Sequence, residues 1–548
     1  MTVSMTNLNK ENTRIIIGNP GCGKTTTLVE ELRKASKTSP LNRIAYCSFS
    51  VAAIDEAISR ALVSLNLSKE SSTEKSLSKK DLPYFRTLHS MAFHLLGLNK
   101  DALMTVPQIK EFGRLTGIPV SGSTLMRSSE LTQRTRQYTG DQILQIIDVA
   151  RLTNQTVREY VTHTLSNNGE ATPKKFSINH IEDIDQRYRD FKILEEIYDY
   201  TDMLVMAKHA ELDLPELDYL FIDEAQDLSS LQWILVNRLA EKTRNIVIAG
   251  DDKQCINTFV GADVDTFLEL PGKVETLNKS YRVPSTVFSL ANRVVKHMHK
   301  FRKEGAVWSP REEKGKVTYC SSIPLYSLLS GDWLILTRTN YQLEPIRKRL
   351  IEFCWDFPFL FTVNGEPPID TEIFRVIELY NLCEKTKKSI LELVTVEDGD
   401  TLAEKKVKYD YIQLFKKYIS CSPDLKPWEI DVDFKRKLIT PWELSMDKLD
   451  KYTKKYASHL YSVYKEQKEE MFNNAKIRIM TIHAAKGREA DNVIVCTDIP
   501  RSVKASMAQD NDDTEAKVFY VAITRAKQNL YIYSNNNKYG TLKRYLDS

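Results

Sequence analysis

A chain of 548 residues that is 42% hydrophobic and 27% charged has apolar material for several cores, which excludes a mostly disordered protein. Its 19 Gly and 19 Pro are too few for collagen-like or low-complexity chains, and its 8 Cys, without a CxxC pair or a Cys/His cluster, point to free thiols rather than a disulfide scaffold or a metal site. With 77 Lys and Arg against 73 Asp and Glu the net charge is only +4, so a groove for a polyanion has to come from local arrangement.

The N-terminus, Met1 to Asn7, is polar and lacks the apolar core of a signal peptide, and no apolar run approaches the roughly 20 residues that cross a bilayer. A soluble, cytoplasmic protein with no membrane partner is expected. The first strong element is the strand Ile15-Ile16-Ile17, followed by Gly18-Asn19-Pro20-Gly21-Cys22-Gly23-Lys24-Thr25-Thr26 and a helical stretch through Lys34. Strand, glycine loop and helix are the setting that G-x-x-x-x-G-K-[ST] needs. Glycines let backbone N–H groups turn inward around phosphate oxygens, Lys24 reaches the β- and γ-phosphates, and the Thr25 hydroxyl holds Mg²⁺. Residues 90–200 are mainly helical, as in Gln142 to Ala150. The apolar strand Tyr219-Leu220-Phe221-Ile222 then ends in Asp223-Glu224, which suits a metal-binding acid followed by a base that deprotonates the attacking water. A further parallel-strand candidate, Asn245 to Gly250, ends in Asp251-Asp252-Lys253-Gln254, and polar residues at such strand ends lie over the ligand crevice. Residues 367–474 are rich in Lys and Glu and read as helical; Trp333 to Leu336, Asn492 to Cys496 and Asn529 to Tyr533 are strand candidates around them. These features alone specify an NTPase and leave its class open.

Ordered blocks narrow the class. Asp223-Glu224-Ala225-Gln226-Asp227 resembles DExxQD; Gly250 to Ile256 with Gly261-Ala262 resembles GDxxQxI; Leu277 to Arg282 resembles an NYR block; Thr481 to Glu489 resembles TxHxxKGLE; and Tyr520 to Lys527 resembles YVAxTRA. In that order, with weaker matches at Tyr46 to Ser50, Thr87 to Ser90, Asp199 to Leu204 and Leu336 to Asn340, they resemble superfamily 1 helicases of the UvrD/Rep type from residue 14 to about 530. The resemblance implies an α/β fold of two RecA-like P-loop NTPase domains, parallel sheets flanked by helices, each with a mainly helical insertion. The expected parts are 1–90 with 199–272 (domain 1A), 91–198 (helical insertion 1B), 273–366 with 475–548 (domain 2A) and 367–474 (insertion 2B, shortened).

The same resemblance implies roles. ATP with Mg²⁺ is held by Gly18, Pro20, Gly21, Cys22, Gly23, Lys24, Thr25 and Thr26, with Tyr281 stacked on the base, Glu489 on the ribose, and Thr25 and Asp223 toward the metal. Lys24, Asp223, Glu224, Gln254, Arg282 and Arg525 make up the catalytic set, the two arginines stabilising charge on the γ-phosphate. Phe49, Thr87, His89, Phe259, Arg338, Asn340 and His483 match strand contacts. Phe49 competes with a plain core phenylalanine, and His89 and His483 with core histidines. Residues 1–17 contain no Gln to read adenine, Asn257, Phe259 and Val260 stand where the family carries Tyr, Trp and Arg, and Arg488 replaces a Leu. The expected function is an ATP-dependent helicase moving 3′-to-5′ on single-stranded DNA, acting at single-strand/duplex junctions, alongside a single-strand-binding protein or a replication or repair partner. Two alternatives stay open: a translocase that displaces proteins without efficient unwinding, and a nucleotide-gated nucleic-acid-binding subunit.

Overall fold

The computed structural model describes residues 3–67, 78–122, 139–168, 176–302, 307–354, 359–368, 475–499 and 513–534, with scattered positions between 357 and 472. The expected insertion at 367–474 therefore lies almost wholly outside the described residues. By packing the chain divides into two compact units, residues 1–322 with 481–548, and residues 323–480.

In the first unit, β1 (Thr13–Gly18), β2 (Ile44–Ser48), β3 (Phe85–Thr87), β4 (Leu217–Asp223), β5 (Thr243–Gly250) and β6 (Lys273–Leu277) form one six-stranded sheet in the order β3-β2-β4-β5-β1-β6. Every neighbouring pair is parallel. A parallel sheet is covered on both faces, so its strands are apolar without alternation. Ile15 and Ile17 enter one core with Ala45, Leu220 and Ile248, while Ile16 between them enters another with Tyr46, Phe221 and Val247. Helices α1 (Lys24–Ala35), α2 (Val51–Leu67), α3 (Leu88–Leu95), α8 (Tyr200–His209) and α9 (Ser230–Ala240) supply the covering layers.

Between β3 and β4 the helices α4 (Val106–Thr116), α5 (Thr139–Leu152), α6 (Val157–Asn168) and α7 (Ile178–Leu194) have a core of their own, built from Ile109, Phe112, Ile143, Ile147, Ile184 and Tyr188 among others. They are joined to α8 by buried charge. Lys192 Nζ lies 2.8 Å from Asp199 Oδ2 and 2.6 Å from Asp202 Oδ2, and Arg151 Nη2 lies 2.8 Å from Asp199 Oδ2. Removing one member of such a set strands a charge away from water.

The first unit also contains α10 (Val264–Glu269), α11 (Ser285–Val295), β7 (Lys316–Cys320), β11 (Ala490–Cys496), α13 (Thr514–Ile523) and β12 (Ala526–Tyr533). Here β12 pairs in parallel with β7 on one side and β11 on the other. The second unit carries β8 (Trp333–Thr337), α12 (Leu343–Phe353), β9 (Phe361–Val363) and most of β10 (Ile477–Thr481), with β10 and β9 parallel. Two sets of parallel strands flanked by helices are the layout of two RecA-like α/β domains. Among the described residues no helix is long and apolar enough to cross a membrane.

Candidate nucleotide site and strand-contact residues

The glycine loop leaves β1 at its C-terminal end and feeds α1. Gly21 and Gly23 sit at φ 72° and 83°, where side chains are strained. A Cβ on Gly18 would come within 2.5 Å of Lys24 Cγ, and one on Gly21 within 2.3 Å of Arg282 Cβ. Lys24 folds back so that Nζ donates to the Gly18 carbonyl at 2.9 Å. Although β5 separates β1 from β4 in the sheet, Thr25 Oγ1 reaches across and donates to Asp223 Oδ2 at 2.9 Å. The hydroxyl and carboxylate are hard oxygen donors of the kind Mg²⁺ takes. Burial pushes the buried Asp223 carboxyl up, helped by the adjacent charge of Glu224. Burial also opposes ionisation of Glu224, but Lys24, Lys486 and the Gln226 amide outweigh it and the group is lowered. The two neighbouring acids are thus shifted in opposite directions. Glu224 also holds φ 51°, a left-handed backbone for a residue with a side chain, of the sort that packing must enforce.

Residues without an assigned role tie the acids to the later blocks. Gln226 Nε2 donates to Glu224 Oε2 at 2.6 Å, while its Oε1 accepts from the Asp251 amide at 2.9 Å. Asp227 pairs with Lys486 and accepts from Asn257 Nδ2 at 3.0 Å; Lys486 Nζ also donates to the Gln254 carbonyl at 2.8 Å. The DExxQD spelling gave Gln226 and Asp227 a position in the chain, but their partners depend on tertiary packing.

Arg525 is 2% exposed, and its Nη2 donates to Gln254 Oε1 at 2.6 Å. Burial, then the like charge of Arg282, pushes its guanidinium down to about 9, which still leaves it protonated at neutral pH. Arg282 is ion-paired with Glu489, so the two side chains expected on γ-phosphate and ribose meet each other here. The segment before it is pinned on the glycine loop: Ser280 Oγ donates to the Pro20 carbonyl at 2.7 Å and the Tyr281 amide to the Gly21 carbonyl at 2.9 Å. The Tyr281 ring is 71% exposed, free to cover a base. Cys22 is buried and its thiol pushed up to about 11 by burial, which keeps it protonated. Near the start of the chain, the Asn7 backbone amide donates to Asn237 Oδ1 at 3.0 Å and Asn7 Nδ2 donates to the Asn237 carbonyl at 2.9 Å.

Within the first unit the strand-contact candidates occupy several local settings. Phe259, 45% exposed, meets the His483 ring edge-on at 5.2 Å and 87°. Phe49 packs against the core beside the sheet. Thr87 caps α3, accepting from the Ser90 amide at 3.3 Å. His89 is buried edge-on to Tyr200 and pushed down to about 4 by burial, so it is neutral. In the second unit Asn340 Oδ1 accepts from Asn364 Nδ2 at 2.9 Å, and Arg338 follows the end of β8.

Residues 4–275 match the UvrD/REP helicase N-terminal domain, and residues 444–537 the UvrD-like helicase C-terminal domain. The chain belongs to the UvrD/Rep-like family of superfamily 1 helicases. It is 24% identical over 435 residues to the YjcD protein of Bacillus subtilis, covering 63% of this chain and 56% of that one. It is 24% identical over 221 residues to the ATP-dependent DNA helicase PcrA of the same organism, 38% of this chain and 29% of PcrA. The ATP-dependent DNA helicase Rep of Buchnera aphidicola is 21% identical over 408 residues, 58% of this chain and 61% of Rep. This UvrD/Rep-like chain thus spans less than two thirds of each of these relatives in the matched region.

Proposed function

We propose that the chain hydrolyses ATP and uses the cycle to move 3′-to-5′ along single-stranded DNA, separating strands at single-strand/duplex junctions. The observation that carries the reading is the Gln254–Arg525 hydrogen bond of 2.6 Å. It brings a guanidinium from the C-terminal blocks into the cluster where Arg525 and Lys24 both act on Glu224. Phosphoryl transfer spreads negative charge over the γ-phosphate, and cations aimed at it from a facing lobe lower the barrier.

In this reading the glycine-loop amides hold phosphate oxygens and Lys24 leaves the Gly18 carbonyl for the phosphates. Glu224 takes the proton of the attacking water, Arg525 and Arg282 stabilise the developing charge, and Tyr281 covers the base. Thr25 and Asp223 would hold Mg²⁺, which when bound neutralises phosphate charge. Because Arg282 and Glu489 are paired, engaging the nucleotide requires that pair to open. Phe259 and His483 offer ring faces to unstacked bases, with Phe49, Thr87, His89, Arg338 and Asn340 as further contacts. The four-part organisation 1A, 1B, 2A and 2B supplies the lobes, whose closing and opening produce steps. A single-strand-binding protein or a replication or repair partner would meet it on DNA in the cytoplasm.

The test is ATP turnover with and without single-stranded DNA or RNA. DNA is expected to raise turnover, and Lys24→Ala to abolish it in both conditions, by about 10²–10³. Turnover indifferent to either polymer would remove the motor. Duplex separation on tailed substrates, set against displacement of a bound protein, then distinguishes a helicase from a stripping translocase.

A further inference from the structure

We infer that Tyr46 is a positioning residue for Asp223, an inference that rests on the ATPase reading and adds a side chain to it. Register decides the placement. Parallel pairing of β2 with β4 sets Tyr46 beside Phe221 and Ser48 beside Asp223, so Tyr46 is two residues short of the acid on the neighbouring strand. The ring stacks on Phe85 at 5.6 Å and 19° and on Phe221 at 6.3 Å and 27°, with no exposed surface. Those contacts ask only for a phenyl ring, yet the side chain is a tyrosine, whose hydroxyl in a core needs a partner. That partner is Asp223 Oδ2, at 2.8 Å.

The same oxygen accepts from Thr25 Oγ1 at 2.9 Å, and Oδ1 accepts from the Glu224 amide at 2.9 Å. Three donors therefore fix the plane of this carboxylate, and only Tyr46 comes from outside the glycine loop and the acidic turn. With its own ring clamped by two others, Tyr46 transmits the rigidity of the sheet to the oxygen that would face the metal–nucleotide pair.

The experiment measures mant-ADP affinity with Mg²⁺ and with EDTA, in the full chain carrying Tyr46→Phe, and takes the ratio. The ring and its stacking survive this change. Affinity in EDTA is expected to match wild type, which reports an intact fold, while the Mg²⁺ enhancement falls about tenfold, the scale of one hydrogen bond to a charged group. Half-saturating Mg²⁺ for ATP turnover should rise in parallel. Phe85→Leu, which loosens the stack but keeps the hydroxyl, is expected to lower the melting temperature and leave the ratio near wild type. Equal ratios in wild type and Tyr46→Phe, a wild-type ratio of one, or an equal fall in Phe85→Leu would overturn the inference. A wild type that binds no mant-ADP in either condition would instead overturn the nucleotide site itself.

Discussion

Around the glycine loop, side chains as far apart as Gln254 and Arg525, 271 positions in sequence, meet at hydrogen-bond distance, whereas among the strand-contact candidates of the first unit Phe259 meets His483 while Thr87 and His89 are held by other neighbours. Ligand shape explains the contrast. In the proposed function a triphosphate is compact, and the lysine, acids and guanidinium groups assigned to it, its metal and its attacking water have to lie close together. A single strand is long and contacts a protein at intervals of a nucleotide, so each contact sits in its own surroundings. Thr87 is a helix cap and His89 a buried ring set edge-on to Tyr200, each placed by its own local neighbours. Convergence is thus a strong sign of a site for a small ligand, and its absence says little about a polymer track.

Substitutions at three positions would break or sharpen that contrast. Arg525→Ala should cost the most, about 10³–10⁵ in ATP turnover, because the transition-state charge loses its cation and Gln254 loses its partner. Arg525→Lys should recover little, since a point charge does not reproduce the planar fork; mant-ADP binding checks the fold, and near-normal turnover in either variant would take Arg525 out of the pocket. Glu224→Gln comes next, at about 10²–10⁴ in turnover, with ADP affinity kept and the protein held on its strand. Unchanged turnover there would assign the base elsewhere. Phe259→Ala should have the smallest effect, about 1–3 kcal/mol in single-strand affinity measured by fluorescence anisotropy, without loss of DNA-free turnover. A loss of DNA-free turnover as large as the loss of binding would make Phe259 part of the nucleotide pocket and erase the contrast.

Most of the proposed nucleotide site consists of residues that the sequence singles out. Its chemistry is local: Gly21 and Gly23 for positive φ, Lys24 and Thr25 at the head of a helix, and Asp223-Glu224 at the end of an apolar strand each follow from a few neighbouring residues. Arg282 and Arg525 were assigned through the ordered blocks alone, since an isolated arginine carries no signal of its partner. Tyr46, Gln226 and Asp227 had no assigned role. Tyr46 enters only as the first residue of a weak block match, and nothing near it in the chain mentions Asp223, which is 177 positions away.

By itself, then, the sequence determined the strand–loop–helix unit, several apolar strand segments and the types of side chain that handle phosphate, because backbone preference and apolar patterning act over short stretches; the two parallel sheets were implied by the family resemblance. Only the tertiary structure decided which partner each charge takes: Thr25 and Tyr46 on one oxygen of Asp223, Arg525 on Gln254, Arg282 on Glu489. The reason is strand register and sheet order. They set distances between residues hundreds of positions apart, and no local preference encodes them.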